Sequence, residues 1–120
     1  MKLLDTNVII RYLLNEKTEQ TKIAVDVIGE GAYTLPLIIA EVVYVLTKLY
    51  NTPRETTADI LLCFIQIVLV PEKQVVAYAL ELYKASSFSF PDCVLIAYNH
   101  LLGADVFSFD KKLNNRLIGC

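Results

Sequence analysis

The chain has 120 residues, 55% of them apolar and 20% charged, with thirteen acids against eleven bases and a formal charge of −2. A mean hydropathy of +0.48 and a pI near 5.3 exclude a disordered linker, a collagen-like fibre and a protein that holds nucleic acid by bulk positive charge. The length suits one domain, residues 1–120.

In chain order, Lys2-Leu3-Leu4 reads as a short strand that ends on Asp5. Apolar residues at Val8, Ile9, Tyr12 and Leu13 give a helix over 6–14. A second helix is expected over 19–28, with Ile23, Ala24, Val27 and Ile28 facing inward and Gly29 and Gly31 ending it. Residues 32–35 read as a strand. The segment 37–49 is apolar on nearly every side and predicts a buried helix. Thr52-Pro53-Arg54-Glu55 has the form of a capping box and starts a helix that ends near Ile65. A β-branched strand is expected over 67–70. The next helix runs over 71–83, with Val75, Val76, Ala79, Leu80 and Tyr83 inside. After a loop at 86–90, a helix over 91–102 is punctuated by Gly103; a last strand over 105–108 precedes a short helix from Asp110.

Short strands alternating with helices indicate an α/β fold: a small three-layer α/β/α sandwich around a parallel sheet of four or five strands, covered on both faces. The longest uncharged stretches, 60–71 and 93–104, have twelve residues each, whereas a membrane span needs about 20. Asp5 arrives before a secretory apolar core forms. Cys63, Cys93 and Cys120 have no zinc-ligand spacing. Cys63 and Cys93 read as small core residues and Cys120 as an exposed terminal thiol, so a reducing cytoplasm is the expected compartment.

Four acids stand apart from the rest. Asp5 and Asp110 follow predicted strands, where open α/β sheets place their ligands. Glu41 and Asp92 lie in the early turns of helices. Capping is the simpler account of Asp5 and Asp110, and Ser89-Phe90-Pro91-Asp92 has the form of a capping box. Glu41 is the only charge between Leu35 and Thr47, and a carboxylate on an apolar face needs compensation. Lys48 lies seven residues on, beyond direct reach for most rotamers, so a cation from outside the helix is expected. The other nine acids read as solvated surface, Glu55 as the capping-box acid. His100 lies mid-helix with no nucleophile motif, and neither a P-loop nor GxGxxG occurs.

These segments carry a resemblance. Leu4-Asp5-Thr6-Asn7-Val8-Ile9-Ile10 resembles the opening motif of the PIN domain, and Ile39-Ala40-Glu41-Val42 its second. Residues Phe90-Pro91-Asp92-Cys93-Val94-Leu95-Ile96-Ala97 are similar to its third motif, and Ser108-Phe109-Asp110-Lys111-Lys112-Leu113 to its last. Cys93 stands where Ala is usual, Pro91 is an unusual neighbour of the acid, and Ser108 replaces Thr. Order, spacing and length resemble those of the VapC-type toxins of toxin–antitoxin pairs.

The resemblance implies a Mg²⁺- or Mn²⁺-dependent endoribonuclease. Asp5, Glu41, Asp92 and Asp110 would be catalytic and hold the metal, Asp5 and Asp92 most directly; crowded carboxylates suit a hard cation that keeps several waters. Asn7, Ser108 and Thr6 would support them, and Lys111, Lys112 and Arg116 are candidates for the RNA backbone. RNA, a cognate antitoxin protein and a second copy in a homodimer are the implied partners, with no membrane. Exposed apolar surface would serve those contacts, with Tyr12, Tyr44, Tyr50 and Tyr83 as candidate anchors. Two alternatives are a PIN-like binding module without turnover and a phosphoacceptor receiver domain. Asp5-Thr6-Asn7 lacks the paired acids that the receiver requires.

Overall fold

Two short strands set the register from which everything else hangs. In the computed structural model, which describes residues 1–119, β1 (Lys2–Leu3) runs parallel to β2 (Ala32–Tyr33), with Lys2 opposite Ala32 and Leu3 opposite Tyr33. Leu4 N–H extends the ladder to Tyr33 O at 2.8 Å. The expectation for Cys120 lies outside the described residues.

Helices dominate the remainder. They are α1 (Thr6–Leu14), α2 (Glu19–Gly29), α3 (Pro36–Tyr44), α4 (Arg54–Phe64), α5 (Lys73–Ala85), α6 (Phe90–Leu102) and α7 (Lys111–Asn114). A π-helical stretch, Val45–Leu49, continues α3. The core joins α1, α3, α4, α5 and α6 through Ile9, Ile39, Leu61, Leu80 and Ile96. All five residues expected on the inner face of α5 are buried. Gly103 closes α6 with φ of 69°, a left-handed position that glycine occupies without strain.

Several expectations require correction. The sheet has two strands among the described residues, not four or five. The segment 67–70 contributes a single parallel bridge, Tyr33 to Leu69, and 105–108 forms no strand. The reason for the latter lies in α6. Asn99 donates to the carbonyls of Ala104 and Ile118 and accepts from Ile118 N–H, so both ends of the following segment are tied to that helix. The sheet is also not covered on both faces: Leu3, Ile67 and Leu69 are exposed.

The helix after β2 is not buried all round. Leu37, Glu41, Tyr44 and Lys48 are exposed and form one outward stripe, while Ile39, Val42, Val43 and Leu46 face the core. In α2 the inner face comprises Thr21, Ala24 and Ile28, and Ile23 is 54% exposed. The Thr52 capping box does not form; Pro53 occupies the cap of α4 without a side-chain bond, and Glu55 sits in the first turn. Cys93 is buried as expected, but Cys63 is exposed.

Candidate active-site cleft

Asp5 owes its position to the sheet. The buried Thr34 hydroxyl donates to Leu4 O at 3.1 Å, beside the Leu4–Tyr33 backbone bond, so the end of β1 is fixed at two points. Asp5 then caps α1, its Oδ1 accepting from Val8 N–H at 3.0 Å. The capping account is therefore correct, and it uses one carboxylate oxygen. Oδ2 has no protein partner among the described residues.

Helix α3 packs against α1 and brings Glu41 to the same place. Asp5, Thr6, Asn7 and Glu41 line one open cleft of about 440 Å³, walled by Ile38 and Tyr50 among others. Glu41 is exposed, so the expected burial penalty on its carboxylate is absent. It makes no bond to Lys48; the one ion pair among the described residues joins Lys84 to Asp59. Neither carboxylate of the cleft is thus neutralised by a protein cation. Thr6 Oγ1, in the same wall, is buried without a hydrogen-bond partner. Asn7 is exposed and lines the cleft with its neighbours.

Asp92 and Asp110 are not among the residues that line this cleft. Asp92 is half-buried in the first turn of α6, where the helix dipole favours a negative charge, and its N–H donates to Ser89 Oγ at 3.2 Å. Helix α6 packs against α3 as α1 does, so three acids stand on three neighbouring helices. Asp110 caps α7, its Oδ1 accepting from Lys112 N–H at 2.9 Å and Leu113 N–H at 3.2 Å. Ser108 supports it: Ser108 Oγ accepts from Asp110 N–H at 2.9 Å, and its carbonyl accepts from Asn114.

Among the described residues, no group of three or more His, Cys, Asp or Glu side chains is arranged to hold a metal ion. A four-carboxylate cage is therefore not assembled in this conformation; the cleft offers a pair. The pair still fits Mg²⁺ or Mn²⁺ chemically. Its donors are hard carboxylate oxygens in an open cleft, and Mg²⁺ keeps several waters and takes one or two carboxylates from a protein. The orphaned Thr6 hydroxyl adds an unused polar group beside them.

Two of the basic residues near the C-terminus, Lys112 and Arg116, are exposed but lie against the 87–88 loop. Lys112 Nζ donates to Ser87 Oγ at 2.5 Å and lies 4.7 Å from the centre of the Phe88 ring, while the Arg116 guanidinium is 5.5 Å from it. Lys111 is exposed. His100 bridges two elements: Arg116 O accepts only, so Nε2 donates to it at 2.7 Å, while Nδ1 and the Tyr78 hydroxyl share a hydrogen bond at 2.6 Å.

Sequence reasoning passed over Arg54. It is a cation in the first turn of α4, where the helix dipole disfavours positive charge. That mismatch was the signal available.

The PIN domain family model matches residues 2–116 of the chain. No curated protein and no solved structure matches it.

Proposed function

The chain belongs to the PIN domain family, whose members are typically nucleases that use divalent metal ions, and from that premise we propose that it is a Mg²⁺- or Mn²⁺-dependent endoribonuclease. The observation that carries the reading is the cleft in which Asp5 and Glu41 face open space with no protein cation beside them. Asp5 and Glu41 would hold the metal. Asp92 and Asp110 are assigned to the same site by motif order rather than by the cleft.

When bound, such a metal supplies an acidified water and stabilises charge on the phosphate. The chain's own groups do the rest. The cap bond from Val8 N–H engages Oδ1 of Asp5 and leaves Oδ2 for a ligand or a water. The Glu41 carboxylate has no ion-pair partner among the described residues, so an oxygen not engaged by the metal would be available to accept a proton from an attacking water. Asn7, exposed in the same wall, would hold water by hydrogen bonds.

The toxin role, a cognate antitoxin and a homodimer are part of the same proposal. Exposed apolar residues support it: Leu49 and Tyr50 line the cleft, Leu37 is exposed on α3, and Phe107 and Phe109 stack edge to face at 5.2 Å while 82% and 94% exposed. Patches of this kind mark interfaces. Tyr44 and Tyr50 remain suitable anchors, whereas Tyr83 is buried and Tyr12 packs on Phe64. No helix among the described residues is long and apolar enough to cross a membrane, and a cytoplasmic location is proposed with the toxin role.

The test is cleavage of single-stranded RNA with Mg²⁺ by the wild type and by Asp5→Asn, both free of any antitoxin. The expected loss in Asp5→Asn is about 100-fold or more. Equal rates would remove Asp5 from the chemistry and point to a contaminating nuclease.

A further inference from the structure

Helix α3 and its π-helical extension separate two hollows of opposite character. Ile38, Glu41 and Val45 face the acidic cleft, whereas Val43, Thr47 and Lys48 face a second cavity of about 260 Å³. Arg54, Tyr83 and Ser89 complete that second cavity, and no carboxylate lines it. Its charged residues are the two cations, Lys48 and Arg54.

Arg54 is half-buried and incompletely compensated. Its Nη2 donates to Tyr83 O at 2.9 Å and Phe88 O at 2.5 Å, and the guanidinium lies 3.7 Å from the centre of the Tyr83 ring. Nε is buried without a partner. No carboxylate pairs with Arg54 among the described residues. Two carbonyls and a ring face partly offset a desolvated cation, but they supply no counter-charge. The first turn of α4 adds an unfavourable dipole. An anion in the cavity answers both deficits.

The rim matches such an anion. Lys48 is exposed and carries a second positive charge. Ser89 Oγ accepts from Asp92 N–H, which leaves its own hydrogen free to donate. Tyr44, 58% exposed, lines the cavity and belongs to the same outward stripe as Glu41.

We infer that this cavity is a phosphate subsite for a single-stranded RNA whose neighbouring phosphodiester lies in the Asp5–Glu41 cleft, with Tyr44 stacking a base on the ridge between them. The inference rests on the nuclease reading and deepens it. It also accounts for how a chain of net charge −2 holds a polyanion: the field is local, set by Arg54 and Lys48 on one side of α3. Aromatic stacking beside a basic groove is a general solution for single strands.

The experiment measures anisotropy of a fluorescein-labelled oligouridylate in EDTA across a salt series, with cleavage in Mg²⁺ followed in parallel. The proteins are the wild type, Lys48→Glu, Tyr44→Ala and Arg54→Gln, each checked by circular dichroism. The expected result is a Kd raised about 5- to 10-fold in Lys48→Glu and Arg54→Gln, with the salt slope shallower by about 0.7 for each phosphate that is no longer neutralised. Lys48 and Tyr44 are exposed, so their variants carry the test should Arg54→Gln fail to fold. A wild type that cleaves while the folded variants keep its Kd and slope overturns the subsite alone. Loss of binding to a polyglutamate peptide with RNA binding unchanged also overturns it, in favour of an acidic protein partner. A wild type that neither binds nor cleaves RNA overturns the nuclease reading and the subsite together.

Discussion

Asp5 has two tasks that substitution separates. As a cap it accepts one N–H bond, which Asn replaces almost fully and Ala does not. Asp5→Asn is therefore expected to melt like the wild type while losing cleavage, whereas Asp5→Ala loses about 1 kcal/mol of stability as well. Urea denaturation beside the RNA assay checks both, and a large stability loss in Asp5→Asn would contradict the division of roles. Cys93 gives a second prediction at this scale. Burial pushes its thiol up to about 11, with the Ser86 hydrogen bond and the Arg54 charge pulling the other way. The folded thiol keeps its proton at pH values where the unfolded one ionises. Its contribution to stability is thus intact below about pH 9 and falls as pH rises toward 11. In a Cys120→Ser background, one thiol, Cys63, is expected to react with a disulfide reagent in the native protein, and Cys93 only in denaturant. Immediate labelling of both would contradict the burial.

Elements were legible where their own residues decide the structure. Helical spacing and a left-handed glycine located α1, α5 and α6 to within a residue or two, because an amphipathic stripe and its caps are local. The sheet was less legible. A β-branched run such as 67–70 announces extended backbone, but pairing depends on partners far along the chain, and here it yields one bridge. The segment 105–108 reads as a strand in isolation; Asn99, which ties its flanks to α6, is six or more residues away and carries no strand signal. The site divided in the same way. Each acid was visible at an element boundary, but that Asp5 and Glu41 share a cleft follows from the packing of α1 on α3. The residues around Glu41 are apolar and so suggest a buried face, but Leu37 and Tyr44 accompany it to the exterior. The Asn99 staple is testable. Asn99→Ala removes three hydrogen bonds at a buried position and is expected to cost about 2–3 kcal/mol. Faster amide exchange should follow in 104–118, the segment that carries Asp110, with α5 unaffected. Unchanged exchange there would show that the segment is held by other means.

At the scale of the whole molecule, the charge balance is a poor guide to function and the placement of charge a better one. The −2 total combines an acidic cleft and a basic cavity on opposite flanks of one helix, a difference that a sum erases. Divalent metal binding to the folded state alone raises stability by about 2.7 kcal/mol at a hundred times its Kd. A Tm several degrees higher in Mn²⁺ is expected for the wild type, with a smaller shift in Glu41→Gln; no shift in the wild type favours a binding module without turnover. The most direct measurement is the initial rate of RNA cleavage in Mg²⁺ by the wild type, Asp5→Asn, Glu41→Gln and the double variant. If the two carboxylates act as one centre, the double variant is expected to be no slower than the slower single variant. Cleavage that survives both substitutions at the wild-type rate would contradict a catalytic site in this cleft.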